Sequence, residues 1–142
     1  MKAKEYLQQV KKIDTLIENK LIEKDQWFAI ATSSTVSSGD GDRVQSSGSQ
    51  QKMADAVCKM IEIQGQIDRL IDKFIDTKQD VINTIEHLPA DEYDVLHKMY
   101  IQGMTMNDVS EAKHKSREWV RQTHGRGISK IQKLLCEKVK KI

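Results

Sequence analysis

The sequence predicts an all-α chain: a long antiparallel helical hairpin of coiled-coil character, followed by a C-terminal helix-turn-helix domain. Three observations carry that expectation. Apolar residues recur at steps of three and four rather than two. Only 1 Pro and 7 Gly punctuate 142 residues, too few for the turns of an all-β sandwich. The charges are also segregated along the chain. The 23 basic and 21 acidic side chains nearly cancel, yet residues 1–88 hold 12 basic and 14 acidic groups, whereas residues 113–142 hold 10 basic against 2 acidic. A near-neutral total thus conceals a basic end of the kind that meets nucleic acid.

Residues 3–30 place Tyr6, Val10, Ile13, Ile17, Leu21 and Phe28 on one helical stripe. Residues 32–50 change character, because 7 Ser, 2 Thr and 3 Gly fill 12 of 19 positions, a composition that cannot bury a core and reads as a loop. At its end Ser46, Ser47 and Ser49 offer hydroxyl acceptors to the free amides of the next helix. From there Met53, Val57, Met60, Gln64, Ile67, Ile71, Phe74, Lys78, Val81, Ile85 and Leu88 alternate steps of four and three. A helix from about 50 to 88 would span roughly 58 Å at about 1.5 Å per residue, so it is expected to project, with the first helix folded back along it and hairpins paired between chains. Gln64 and Lys78 either set register or oligomer number on that seam or lie at its solvated edge.

Leu88-Pro89 ends this helix, since proline disfavours helical geometry in the residue before it and suits the first turn of a new helix. The chain therefore divides into a hairpin, 1–88, for oligomerisation or partner binding, and a compact domain, 89–142. In the latter, residues 90–102 form a helix with Asp91 and Glu92 at its dipole-favoured start and Tyr93, Leu96 and Met99 or Tyr100 on one face. Gly103 ends it. Thr105 and Asp108 make a capping-box start for a short helix, 106–112, which turns Met106 and Val109 inward. A turn at 113–115 and an N-cap at Ser116 lead into a last helix, 117–139, with Val120, Ile128, Ile131, Leu134 or Leu135, and Val139 on its apolar face.

Several function classes have no support. No run approaches the ~18 to 20 apolar residues of a membrane span and none follows the N-terminus as a secretory signal would, so a soluble, cytoplasmic chain is expected. Cys58 and Cys136 are too far apart in sequence for a metal knuckle and too few for a disulfide framework; both are expected to be buried thiols. His87, His97, His114 and His124 lack zinc-site spacing, and neither a phosphate loop nor a nucleophile triad stands out. No metal, no cofactor and no catalysis are expected.

A short helix, a tight turn and a second helix rich in Arg, Lys and Gln form the layout of a helix-turn-helix. On the second helix Arg117, Arg121 and Gly125 are spaced i, i+4, i+8, with Glu118 and Gln122 beside them. Arginine can make two hydrogen bonds to guanine and glutamine two to adenine, and glutamate accepts from cytosine, so Arg117, Glu118, Arg121 and Gln122 are the candidate base readers. Thr105, Lys113, Lys115, Ser116, Gly125, Arg126, Lys130 and Lys133 are the candidates for the DNA backbone, which positions without specifying. Gly125 and Gly127 have two readings. Either Gly125 lets backbone approach DNA and Gly127 lets a neighbouring helix pack closely, or the two mark a kink or the end of the helix.

The run Leu88-Pro89, Val95-Leu96, Tyr100, Gly103-Met104-Thr105, Asp108-Val109, Ser116, Trp119-Val120 and Arg126-Gly127-Ile128 resembles the region-four helix-turn-helix of sigma-70-type factors over residues 88–135. Lys113-His114-Lys115 departs from it, standing where such motifs carry an apolar-turn-apolar triplet. The whole chain, with its Gly41-Asp42-Arg43-Val44-Gln45-Ser46-Ser47-Gly48-Ser49 segment, resembles small phage-encoded regulators, the ArpU/RinA-like late-gene activators. That resemblance implies a sequence-specific regulator that binds double-stranded promoter DNA through residues 116–126, with RNA polymerase as a further partner. Arg43 is either a loop contact to DNA or polymerase, or part of a plain connector. One helix-turn-helix touches few base pairs, so a homodimer or higher oligomer is expected. Two other readings are a small-terminase-like packaging subunit, betrayed by a ring of eight or more chains, and a module whose basic helix binds polymerase without DNA.

Overall fold

The computed structural model describes residues 1–36 and 47–140. Helix α1 runs Ala3–Val36, α2 Ser47–Ile85, α3 Ala90–Leu96 with a π turn continuing it over His97–Ile101, α4 Met106–Lys113 and α5 Arg117–Lys140. The chain is all-α as expected, and among the described residues there is no strand. No described helix is long and apolar enough to cross a membrane.

The segment 32–50 is not a loop throughout, since its first five residues complete α1 and its last four begin α2. Hydroxyls explain how the helix tolerates such a composition. Thr32 donates to the Phe28 carbonyl at 3.0 Å and Ser33 to that of Ile30 at 3.1 Å, turning their polar groups back onto their own helix. The caps expected of Ser46, Ser47 and Ser49 and the contact considered for Arg43 lie outside the described residues and side chains.

Packing divides the chain into two compact units, residues 1–14 with 74–142, and residues 15–73. The helical break does fall at Pro89, but the larger unit also takes in 1–14 and 74–88, so its limits lie within α1 and α2 rather than at the proline. In the larger unit Ala3, Tyr6, Leu7 and Val10 pack with Val81, Ile85, Leu88, Leu96 and Ile131. Tyr6 fixes the pairing by donating to the Asp80 carboxylate and meeting the Thr84 hydroxyl. Burial and the hydrogen bond to Asp80 push its phenol up to about 12. A second cluster, Val95, Val109 and Val120, holds the short helices together with Met99, Met104, Met106 and Trp119 around it.

In the unit of residues 15–73, α1 and α2 run antiparallel: Lys24 donates to the Gln64 side chain, and residues 20–27 of α1 lie beside 59–66 of α2. Gln64 therefore sits on the seam, half-buried, bonded to the opposite helix. The expected stripe is shifted, however. Leu21, Phe28, Met53, Val57 and Ile71 are exposed, while Lys20, Lys24 and Trp27 are partly covered and Ala31, Ala56, Ile63 and Ile67 are buried. Cys58 and Cys136 are exposed rather than buried, since both lie off the buried stripes of their helices.

Candidate nucleic-acid interface

Local chemistry sets the frame of the two-helix motif. Gly103 takes φ +77°, a conformation that costs glycine nothing, and so lets the chain leave the π turn. The capping box at α4 is complete: the Asp108 amide donates to Thr105 Oγ1 at 3.2 Å and the Thr105 amide to Asp108 Oδ2 at 3.1 Å. Ser116 caps α5 by accepting from the Trp119 amide at 3.0 Å. Thr105 and Ser116 thus spend their hydroxyls on helix starts.

Between these caps, the Lys113-His114-Lys115 turn replaces apolar packing by polar means. His114 adopts φ 56°, the left-handed conformation that closes a helix. Lys113 reaches Asp94 at 2.7 Å and Asp91 at 3.9 Å, tying the end of α4 to α3. Burial pushes the Asp94 carboxyl up, but hydrogen bonds from Lys113 and Lys98 outweigh it and hold the group below the usual carboxylate range. The Lys115 ammonium lies 5.5 Å from the centre of the Trp119 ring, and the Lys115 carbonyl accepts from the Ser110 hydroxyl.

Helix α5 is continuous through both glycines. Val120, Thr123, His124, Gly127 and Ile131 are its buried face. A Cβ at Gly127 would stand 3.1 Å from Leu96 Cδ1 and 3.6 Å from Glu92 Cβ, so α3 and α5 approach each other there because no side chain intervenes. At Gly125 a Cβ would meet nothing within 4 Å. The close-packing reading of Gly127 therefore describes the fold, and Gly125 leaves an open notch on the outer face.

That outer face carries Arg117, Glu118, Arg121 and Gln122, all exposed. Glu118 gathers two of its neighbours, taking a bidentate ion pair from Arg121 and a hydrogen bond from Gln122 at 3.2 Å. The Arg121 contact holds the Glu118 carboxyl low, and the same contact raises the Arg121 guanidinium. Arg117 has no ion-pair partner among the described residues, and neither does Lys133.

The other basic candidates are not equally available. Glu92, which first-turn position alone marks as a dipole residue, is buried against α5 and holds Lys130 through both oxygens, at 3.0 and 2.8 Å, with Arg126 Nε at 3.5 Å. Arg126 also donates to Thr123 Oγ1 at 3.2 Å. Both cations remain about half exposed. They pin α5 to α3 while presenting part of their surface outward. His124 also escaped sequence reasoning: its Nε2 lies 2.8 Å from the Tyr100 hydroxyl and its ring stacks on that tyrosine. Burial, with Lys4 adding to it, lowers its pKa, so the ring sits neutral in the core. The spacing Val120, His124, Gly127, Ile131 was the signal that could have found it.

The result is a capped short helix, a left-handed turn and a second helix whose first two turns offer long hydrogen-bonding side chains to solvent, the geometry that enters a major groove. Residues 84–133 match the family model described as Sigma-70, region 4, a helix-turn-helix. No curated protein and no solved structure gives a significant match to the chain. The region-four match points to DNA binding and transcription regulation.

Proposed function

We propose that the chain is a sequence-specific regulator of phage or prophage transcription, an activator of the ArpU/RinA-like kind. It binds double-stranded promoter DNA through α5, acts as a homodimer in the cytoplasm of a bacterial host, touches RNA polymerase, and performs no catalysis. The observation that carries this reading is the solvent-facing quartet Arg117, Glu118, Arg121 and Gln122 on the second helix of a two-helix motif, inside the stretch similar to sigma-70 region 4. Lys115, Arg126, Lys130 and Lys133 flank the quartet as backbone contacts, with Lys113, Thr105, Ser116 and the Gly125 notch beside the same groove edge.

The reading has a direct test in footprinting and salt titration on the adjacent phage DNA. Each neutralised phosphate should contribute a slope of about −0.9 to log affinity against log salt. Arg117→Ala with Arg121→Ala should relax sequence preference, each lost base pair contact costing about 1–3 kcal/mol of discrimination. Lys133→Ala should weaken all DNA alike. A flat salt response overturns DNA binding. An unaltered footprint with the arginine variant moves the reading surface elsewhere, and a ring of eight or more chains turns the reading toward packaging.

A further inference from the structure

The unit of residues 15–73 has a face that its own folding leaves uncovered. Its seam is built from Ile17, Lys24, Trp27 and Ala31 on α1 and from Ala56, Met60, Ile63 and Ile67 on α2, all buried or half-buried. Leu21, Phe28, Met53, Val57 and Ile71 each stand three residues before or four after a seam residue, a rotation of about 40–60° in one sense from that residue at 3.6 residues per turn. In an antiparallel pair the same sense on both helices leads to the same side, so these side chains share one face, with Ile61 at its edge. They are 36–67% exposed. At about 150–250 Å² for the one aromatic, Phe28, and somewhat less for each aliphatic side chain, the face offers on the order of 400 Å² of apolar surface, and two such faces together approach the ~1,000 Å² that a specific interface needs. The opposite side is more mixed: Leu16 and Ile30 are exposed there, but among ion pairs, Lys20 with Glu23 at 3.2 Å and Lys59 with Glu62 at 3.5 Å, charges already satisfied and solvated.

A polar line crosses the apolar face. Lys24 on α1 donates to the Gln64 side chain, and Gln64 donates to Asp68 at 2.9 Å, so the line has a cation on one helix and an anion on the other. We propose that this face seats a second copy of the chain about a two-fold axis running along the helix pair. Such an axis lays α1 of one copy over α2 of the other. Phe28 then faces Val57 and Ile61, Leu21 faces Ile71, and Lys24 faces Asp68, each contact made twice. An axis across the pair at the level of this line would instead lay α1 over α1 and α2 over α2, bringing Lys24 near Lys24 and Asp68 near Asp68, which like-charge repulsion disfavours. The inference deepens the homodimer of the reading above and rests on it for its purpose, not for its surface.

Sedimentation of the full chain without DNA tests it. The wild type is expected to be a dimer at micromolar concentration, and Phe28→Glu with Val57→Glu should weaken association more than about 100-fold by burying unpaired charge. Both residues are exposed within the chain, so helical circular dichroism should be unchanged. Lys24→Glu and Asp68→Lys should each impair self-association, and an equimolar mixture of the two should restore it, because only the mixed dimer re-forms both cross-chain pairs. A monomeric wild type, or a double-Glu variant that still dimerises, overturns the proposal. A mixture without rescue overturns the alignment. Since the mass is read without DNA, a loss of DNA binding with the mass unchanged counts against the regulatory reading alone.

Discussion

In residues 1–14 and 74–142, Leu7, Ile85, Leu96, Val109, Val120 and Ile131 are wholly buried and come from all five helices, whereas between residues 15 and 73 the buried apolar side chains among the described residues are Ala31, Ala56, Ile63 and Ile67. The difference is one of geometry. Helices that pack around one another cover each other on several sides, and a helix pair has a single seam, so any second apolar stripe stays in water. Apolar content therefore has two meanings in this chain. In the larger unit it measures how firmly the motif is held, and in the smaller it measures what remains for a partner.

The largest expected effect that could break this contrast is Leu96→Ala, which should lower the stability of the larger unit by about 2–5 kcal/mol in urea unfolding, while Phe28→Ala should change the unfolding of a monomeric variant by less than about 0.5 kcal/mol. Equal costs at the two positions would erase the distinction. Next comes Gly127→Val, whose side chain must enter the space of Leu96 and should cost about 1–3 kcal/mol, again read by denaturant midpoint. Glu92→Gln should cost about 1 kcal/mol, because half-exposed Lys130 and Arg126 regain water when released. The same change should steepen the salt dependence of DNA binding by about one to two contacts.

His124 sharpens the contrast through pH. Its folded pKa lies below the ordinary 6.5, so in that window the unfolded chain binds more protons and folding stability falls as pH drops through and below 6.5. Thermal melts between pH 7.5 and 5 should show this slope, and His124→Phe should flatten it. The smallest effect is a gain: Gly125→Ala, with open space around the new methyl, should stabilise α5 by up to about 1 kcal/mol.

What was legible in the sequence was what neighbours in the chain decide. Thr105 with Asp108, Ser116 and Gly103 all act within a few residues of themselves, and the structure places each in the expected role, while Pro89 stands at the N-cap of α3 rather than in its first turn. The fold class followed from the same local periodicity. What was not legible depends on partners far along the chain. Nothing around Lys130 announces a carboxylate 38 residues earlier, so a cation read as a phosphate contact proved also to be a tie between α3 and α5. In α1 and α2, steps of three and four are shared by two stripes about 40–60° apart. Periodicity thus fixed that Leu21 and Phe28 lie on a stripe without deciding which stripe meets the other helix. The recognition quartet was legible as exposed because it faces away from Val120 and Ile131, but the pairing of Arg121 and Gln122 on Glu118 depends on side-chain rotamers that spacing alone does not fix.

His114 has a consequence for which sequences this motif can accept. Its left-handed φ of 56° is demanded by the backbone between α4 and α5, while its side chain is exposed. The position is a filter on the main chain rather than on chemistry. A library randomised at 114 and selected for heat resistance should return Gly, Asn and Asp beside His, and should lose Val and Ile, whose branched Cβ is strained in that conformation. The turn then diversifies only along the few residues that bend to the left, however freely the exposed side chains around it change.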